Sequence, residues 1–486
     1  MNIFNCSHNI NIRGFEDDEV VTYPLIRLTG TVEWNENIQS CQEETSNLIL
    51  LIKNSNAKLK VSCYDNKFKV LLELDEGRNE FWLTYGCRSR SIILSYSPLK
   101  SDYQVTPLYV ICEGHNGKFQ APSNENNDIQ SACDRILLAT KLLQCFSAEK
   151  MFENGLGRKT FNIEMKCQIF HSKVKCQDVP SMNQQQLWES IGRDIMTSEI
   201  GSEKQKYLAF LSCTIYHGDG YTDSMKTHEE LINITDGYVA LGGGGLALFG
   251  TACLYTWPEK IEDIICKFED ETLVDKSKFL DDSCYRGTLG ACFSTTLGSV
   301  LHELYHTFNL GHTQNGIMGR GFDNVQNFFL AKSHLPGNEE ITSKSFQDHI
   351  EFKEEFEASK LSERLLNENK KKEYSIIKKF EDDHCTFLTK SCAVMLCYHK
   401  WFNSSSSVTT SYTLTYDRSN KFIRSTAGIR VVEIRTEEDE MITYDWTFEG
   451  KVLKFSFQIP IEVFQDKRNY LLVVEDNLGN ILKATA

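Results

Sequence analysis

The segment Leu301-His302-Glu303-Leu304-Tyr305-His306-Thr307-Phe308-Asn309-Leu310-Gly311-His312 constrains this chain more than any other part of it. On a helix, residues four apart lie on one face, one turn above the other, so His302 and His306 can aim two imidazoles at one point. Leu297, Val300, Leu301, Leu304, Tyr305 and Phe308 make an apolar stripe on the opposite side, which predicts a helix buried along that stripe whatever the histidines hold. His312 follows His306 by six residues. For its ring to reach the same point, the helix must end and the chain must turn back. Such a turn often needs a left-handed residue, for which glycine is best and asparagine the commonest substitute. Asn309 stands where that residue is needed, and Gly311 adds freedom.

Three imidazoles leave the fourth position of a tetrahedral ion open, as a catalytic zinc site requires. Glu303 lies on the neighbouring edge of the helix, within reach of a water at that position, and is the candidate general base. Histidine is scarce, 12 in 486 residues, so this grouping is not an effect of composition. The remaining histidines read as ordinary structural residues.

The pattern resembles the metzincin signature HExxHxxGxxH, with Asn309 in place of the glycine, and the likeness continues through Asn315-Gly316-Ile317-Met318-Gly319-Arg320. Over residues 105–405, GGGGLALFG, LYTWP, GIMGRGFD and CYHKWFN are similar to a sparsely characterised eukaryotic family of zinc metallopeptidases. The resemblance implies one Zn2+ per chain on His302, His306 and His312, with Glu303 catalytic and Met318 in a tight turn beneath the ligands. Astacin-like members carry a tyrosine at the position of Arg320. Arg320 is therefore a candidate oxyanion stabiliser, although a structural ion pair is the plainer reading of an arginine. Leu246, Ala247, Leu248 and Phe249 are candidates for an edge strand that pairs with an extended substrate, against the plain reading of a core strand.

The expected function is zinc-dependent endopeptidase action on a peptide or protein substrate. The alternative is a metal-stabilised interaction module with little turnover, which an intact Glu303 and ligand set argue against. Hydrolysis of a non-peptide amide is a third reading that the motif leaves open. A formal charge of −15 makes nucleic acid an unexpected partner. The N-terminus lacks a signal-peptide core, and the 17 cysteines have no CxxC spacing; both favour reduced thiols and a cytoplasmic or nuclear location. Gly237 to Pro258 carries no charge but contains four consecutive glycines, so buried loop and strand are expected there, not a membrane span.

The expected architecture is multidomain α+β, a metzincin-like catalytic domain flanked by two β-sandwiches. Residues 1–105 read as an immunoglobulin-like sandwich acting as a spacer. Residues 106–402 read as the peptidase domain, with a charged insertion near 338–382 and an amphipathic helix around HCTFLTKSCAVMLCYHKWFN. Residues 403–486 read as a second small sandwich.

Overall fold

A computed structural model describes residues 9–33, 47–52, 57–86, 88–225, 227–331, 386–404, 412–464 and 469–485. The charged segment near 338–382 lies outside them.

Short runs of β-branched and aromatic residues, alternating along the chain, make the first eight strands. They are β1 (Asn9–Arg13), β2 (Glu19–Val21), β3 (Leu25–Glu33), β4 (Asn47–Ile52), β5 (Ala57–Ser62), β6 (Lys67–Glu73), β7 (Gly77–Tyr85) and β8 (Arg88–Tyr96). They form two sheets, in the orders β1-β3-β6 and β2-β8-β7-β4-β5. Their inward residues, among them Leu28, Phe81, Leu83 and Leu94, do not close a core of their own. They belong to one apolar cluster that continues into the helices that follow. Polar contacts cross the same boundary: Tyr23 donates to Glu149 at 2.9 Å, and Arg27 and Lys69 each donate to a backbone carbonyl, of Phe328 and Asn327, at 2.7 Å. These strands are therefore part of a common core rather than a spacer.

The central sheet contains β9 (Gln104–Glu113), β10 (Gln168–Lys175), β11 (Gln205–Leu211), β14 (Ala240–Gly243) and β15 (Leu246–Gly250), in the order β10-β9-β11-β15-β14. A separate small ribbon pairs β12 (Ile215–Tyr216) with β13 (Thr235–Asp236). The four strands from β10 to β15 in that order are parallel, and β14 pairs antiparallel with β15. Parallel strands need both faces covered, and alternate residues are divided accordingly. Tyr109, Phe210 and Phe249 face one cluster; Leu108, Val110, Ala209 and Leu248 face another. This accounts for the unbroken apolar run from Tyr207 to Leu211 in β11.

Two long helices share the first cluster: α1 (Ile129–Glu153), capped by Asp128, and the histidine-bearing helix. On the second face lies α2 (Gln184–Met196), which buries Leu187, Ile191 and Ile195 and starts in a capping box of Asn183 and Gln186. Two short helices, α3 (His228–Asn233) and α4 (Ile264–Phe268), precede α5 (Leu289–Thr307), which carries His302 and His306; α6 (Gln326–Phe329) and α7 (Lys390–Tyr398) follow. The helix expected around Cys392 is shorter than its sequence suggests and is not amphipathic, because Ser391 to Cys397 are all buried.

The last strands are β16 (Leu414–Asp417), β17 (Phe422–Thr436), β18 (Ile442–Thr447), β19 (Lys454–Gln458), β20 (Tyr470–Asp476) and β21 (Ile481–Thr485). They form one curled six-stranded sheet. Its organiser is the 15-residue β17, which pairs with β16, β18, β19 and β20. Register shifts near Gly428, where φ is 96°, bend β17 enough to serve partners at both ends.

Among the described residues no helix is long and apolar enough to cross a membrane. The uncharged stretch from Gly237 to Pro258 holds β14, β15 and a short 3-10 turn.

Candidate metal centre

The helix α5 begins with the Thr288 hydroxyl accepting the Ala291 N–H at 3.2 Å. Its apolar stripe is buried as the spacing requires: Leu297, Val300, Leu301, Leu304, Tyr305 and Phe308 are each at most 2% exposed. Burial of side chains of this size contributes about 1.5–3 kcal/mol each. Tyr305 and Ser147 of α1 share a buried hydrogen bond of 2.8 Å.

The helix stops one turn past His302. Asn309 takes φ 64°, its N–H reaches the His306 carbonyl at 3.0 Å, and the Leu310 N–H reaches the Tyr305 carbonyl at 3.2 Å. This pair of bonds around a left-handed residue is the Schellman ending. It reverses the chain so that His312 returns to the two helical histidines.

The three rings converge. His306 Nε2 lies 3.1 Å from His302 Nε2 and 3.1 Å from His312 Nε2. Every Nδ1 is occupied by a backbone carbonyl: Ile317 at 2.8 Å for His302, Leu310 at 2.9 Å for His306, and Asp439 for His312. A carbonyl accepts only, so each Nδ1 carries the proton and each Nε2 is left as a lone pair. Burial first, then the neighbouring histidines, holds His302 well below the usual range; burial and His312 hold His306 down at about 4. Three neutral lone pairs converging without a proton between them repel one another unless a cation stands among them. The donor set therefore fits zinc, with the carbonyls fixing ring orientation. Among the described residues it is the one cluster of three or more metal-binding side chains whose ligand atoms converge within 4.8 Å.

Glu303 is raised to about 8 by burial, offset in part by the Gly242 N–H that donates to its carboxylate. Gly242 belongs to β14, and its lack of a side chain is what allows the approach. A Cβ there would fall 1.9 Å from the Glu303 carbonyl oxygen.

The remaining sequence candidates fall in different places. Met318 is buried, next to the Ile317 carbonyl that holds His302, and its own carbonyl accepts the Thr313 N–H at 3.0 Å. Arg320 lies 3.3 Å from Asp323 and 3.6 Å from the Cys284 sulfur, and its charge also bears on His302. Leu246 to Phe249 form β15, which is paired with β11 on one side and β14 on the other. The expectation of a free edge at Leu246, Ala247, Leu248 and Phe249 is thus corrected: the edge strand is β14, because the glycine run folds back as a tight hairpin with Gly244 at φ 52°. Sequence reasoning also missed Gly242 and Asp439. The glycine run was the one available signal for the first, and nothing near His312 pointed to the second.

A family model described as "Putative peptidase family" matches residues 9–372. The chain belongs to that family. A protein of Saccharomyces cerevisiae named "Putative zinc metalloproteinase" is 22% identical over 360 residues, covering 67% of this chain and 50% of the relative. A Schizosaccharomyces pombe protein of the same description is 27% identical over 286 residues, 53% of this chain and 44% of the relative. The chain thus spans half the length, or less, of these relatives. Catalytically inactive OgpA of Akkermansia muciniphila, solved with an O-glycopeptide substrate, aligns over 80% of this chain and 93% of its own, at 13% identity and a TM-score of 0.40.

Proposed function

We propose that this member of the peptidase family is a zinc-dependent endopeptidase, with His302, His306 and His312 as ligands and Glu303 as general base. The observation that carries the reading is the convergence of three Nε2 lone pairs, each ring fixed through its Nδ1, with the half-buried Glu303 next to His302 on the same helix. Zinc, when bound there, supplies a Lewis acid that polarises a carbonyl and lowers the pKa of a water. Glu303 accepts a proton from the attacking water at its carboxylate and delivers it to the leaving amine nitrogen. The Gly242 N–H holds that carboxylate in position throughout. The outer edge of β14 has no partner among the described strands; its Ala240 N–H donates to Gln184 Oε1 at 3.1 Å and its Gly242 N–H to Glu303, so an extended peptide would add there through the outward carbonyls and lie along Glu303. Met318 packs under the ligands as part of the turn that carries the Ile317 carbonyl. Arg320 serves as a fixed positive charge tied to Asp323.

Chelation tests the reading. The protein is incubated with an unstructured protein substrate, with and without 1,10-phenanthroline, and the products are identified by mass spectrometry. The expected result is new internal chain ends, lost with chelator and restored by added zinc. Cleavage that survives complete removal of metal would contradict it.

A further inference from the structure

His302 and His306 are held by carbonyls of their own neighbourhood, Ile317 and Leu310. His312 is held differently. Its N–H donates to the Glu440 carbonyl at 3.1 Å, its carbonyl accepts the Ile442 N–H at 2.9 Å, and its ring Nδ1 donates to the Asp439 carbonyl. The residue is inserted beside Met441 as a one-residue parallel bridge. All three contacts come from Asp439, Glu440 and Ile442, in the turn after β17 and at the start of β18, at least 127 residues further along the chain, and these residues lie beyond those matched to the family.

One side chain ties this turn to the end of α5. Arg435 is fully buried. Its guanidinium donates to the Asn309 carbonyl at 2.6 Å, to Glu440 Oε2 at 2.7 Å and, through Nε, to Glu433 Oε2 at 2.9 Å. Asn309 is the residue that ends the helix, and Glu440 sits in the turn that clamps His312. A planar guanidinium fixes both at once, which a lysine ammonium cannot do. Gly311 leaves room for it, since a Cβ there would lie 2.7 Å from both Arg435 Nε and the Glu440 carbonyl. The turn is pinned internally as well: the Thr436 hydroxyl bonds Asp439, and the Met441 N–H reaches Thr436 Oγ1 at 3.0 Å and Asp439 Oδ1 at 3.2 Å.

We propose that the C-terminal sheet is a structural part of the metal centre and that Arg435 is a positioning residue, setting His312 as the third ligand through the turn from Thr436 to Ile442. The inference rests on the metal reading above. The Asp439 carbonyl selects the tautomer and aims Nε2; Arg435 fixes the distance between that carbonyl and the helical pair.

The test compares the full-length wild type with Asp439→Ala and Arg435→Lys. Zinc affinity is measured by competition with a chelator, and the cobalt(II) form is examined by visible absorption, which reports the ligand field directly. Asp439→Ala keeps the carbonyl that holds His312 but releases the side-chain bonds to Thr436 and the Met441 N–H that hold that carbonyl in place. Both variants should therefore bind zinc more weakly, toward the roughly 10–100-fold of losing an outer support of a ligating histidine, and their cobalt spectra should differ from wild type while far-ultraviolet dichroism does not. If Arg435→Lys fails to fold, Asp439→Ala decides alone, because that side chain lies in a half-exposed turn. Wild-type affinity together with a wild-type cobalt spectrum in Asp439→Ala overturns the inference. A wild type that takes up no zinc overturns the metal reading and this inference with it. A wild type that binds zinc but cleaves no peptide overturns only the peptidase reading, since affinity and spectrum still decide this one.

Discussion

Gly242 lies against the backbone of Glu303, so closely that any side chain at 242 would begin 1.9 Å from the Glu303 carbonyl oxygen. An edge strand and the helix bearing the candidate base are in direct backbone contact, and the Gly242 N–H is free to donate to the carboxylate. Gly242→Ala must therefore push β14 away from α5. Overpacking of this kind costs about 1–3 kcal/mol, and the displaced N–H no longer holds Glu303. The expected outcome is a lower melting temperature together with a loss of peptide cleavage larger than the stability change explains, read from thermal unfolding and kcat/KM on one preparation. Wild-type stability would show that the contact is not as close as described.

The helix ending makes a second prediction. Asn309 is left-handed at φ 64°, a region that costs most side chains about 1–2 kcal/mol and costs glycine nothing. Asn309→Gly should retain stability and zinc binding, whereas Asn309→Val should lose about 1–2 kcal/mol and weaken zinc binding by displacing His312. Thermal melts with and without excess zinc measure both. Equal behaviour of the two variants would contradict the turn.

Glu475 in β20 gives a pH dependence remote from the histidines. It is fully buried and neither carboxylate oxygen has a hydrogen-bond partner among the described residues. Burial, then Asp476 and Glu433, push its pKa well above the usual carboxyl range, with Lys400 offsetting part of the rise. A carboxyl whose folded pKa is raised holds a proton that the unfolded chain releases. It therefore costs nothing below the unfolded value of about 4.3 and destabilises progressively as pH rises toward the folded value, by about 1.4 kcal/mol for each pH unit between the two. Glu475→Gln removes the titration. Its melting temperature should exceed wild type by a margin that widens from pH 5 to pH 8; a constant or narrowing margin would contradict the buried, protonated carboxyl.

Much of this site could be read along the chain because it is local. The four-residue spacing of His302 and His306, the apolar stripe of α5 and the stop at Asn309 are properties of consecutive residues, governed by helix period and by one left-handed position. The central strand β11 was legible for the same reason, through its unbroken apolar run. The glycines of 242–245 are conspicuous in sequence but point the wrong way. They look like the lead-in to an edge strand at Leu246, whereas they make a hairpin that adds β14 outside it and lets Gly242 touch Glu303. The support of His312 had no local signal at all. Arg435 and Asp439 lie more than a hundred residues away in what reads as an ordinary alternating strand and turn, and the fold of β17 brings them to Asn309 and His312. The N-terminal strands likewise look self-contained in sequence, because alternation reports which residues are inward but not what they meet.

The proposed chemistry requires that His302, His306 and His312 hold zinc and that Glu303 perform the proton transfers. The most direct measurement is zinc content and peptide cleavage in the same samples of wild type and Glu303→Gln. About one zinc is expected in each, from a three-histidine site that Glu303 does not ligate, with cleavage in the wild type and a loss of about 100-fold or more in Glu303→Gln. A wild type without zinc, or a Glu303→Gln protein that cleaves as fast as wild type, would contradict it.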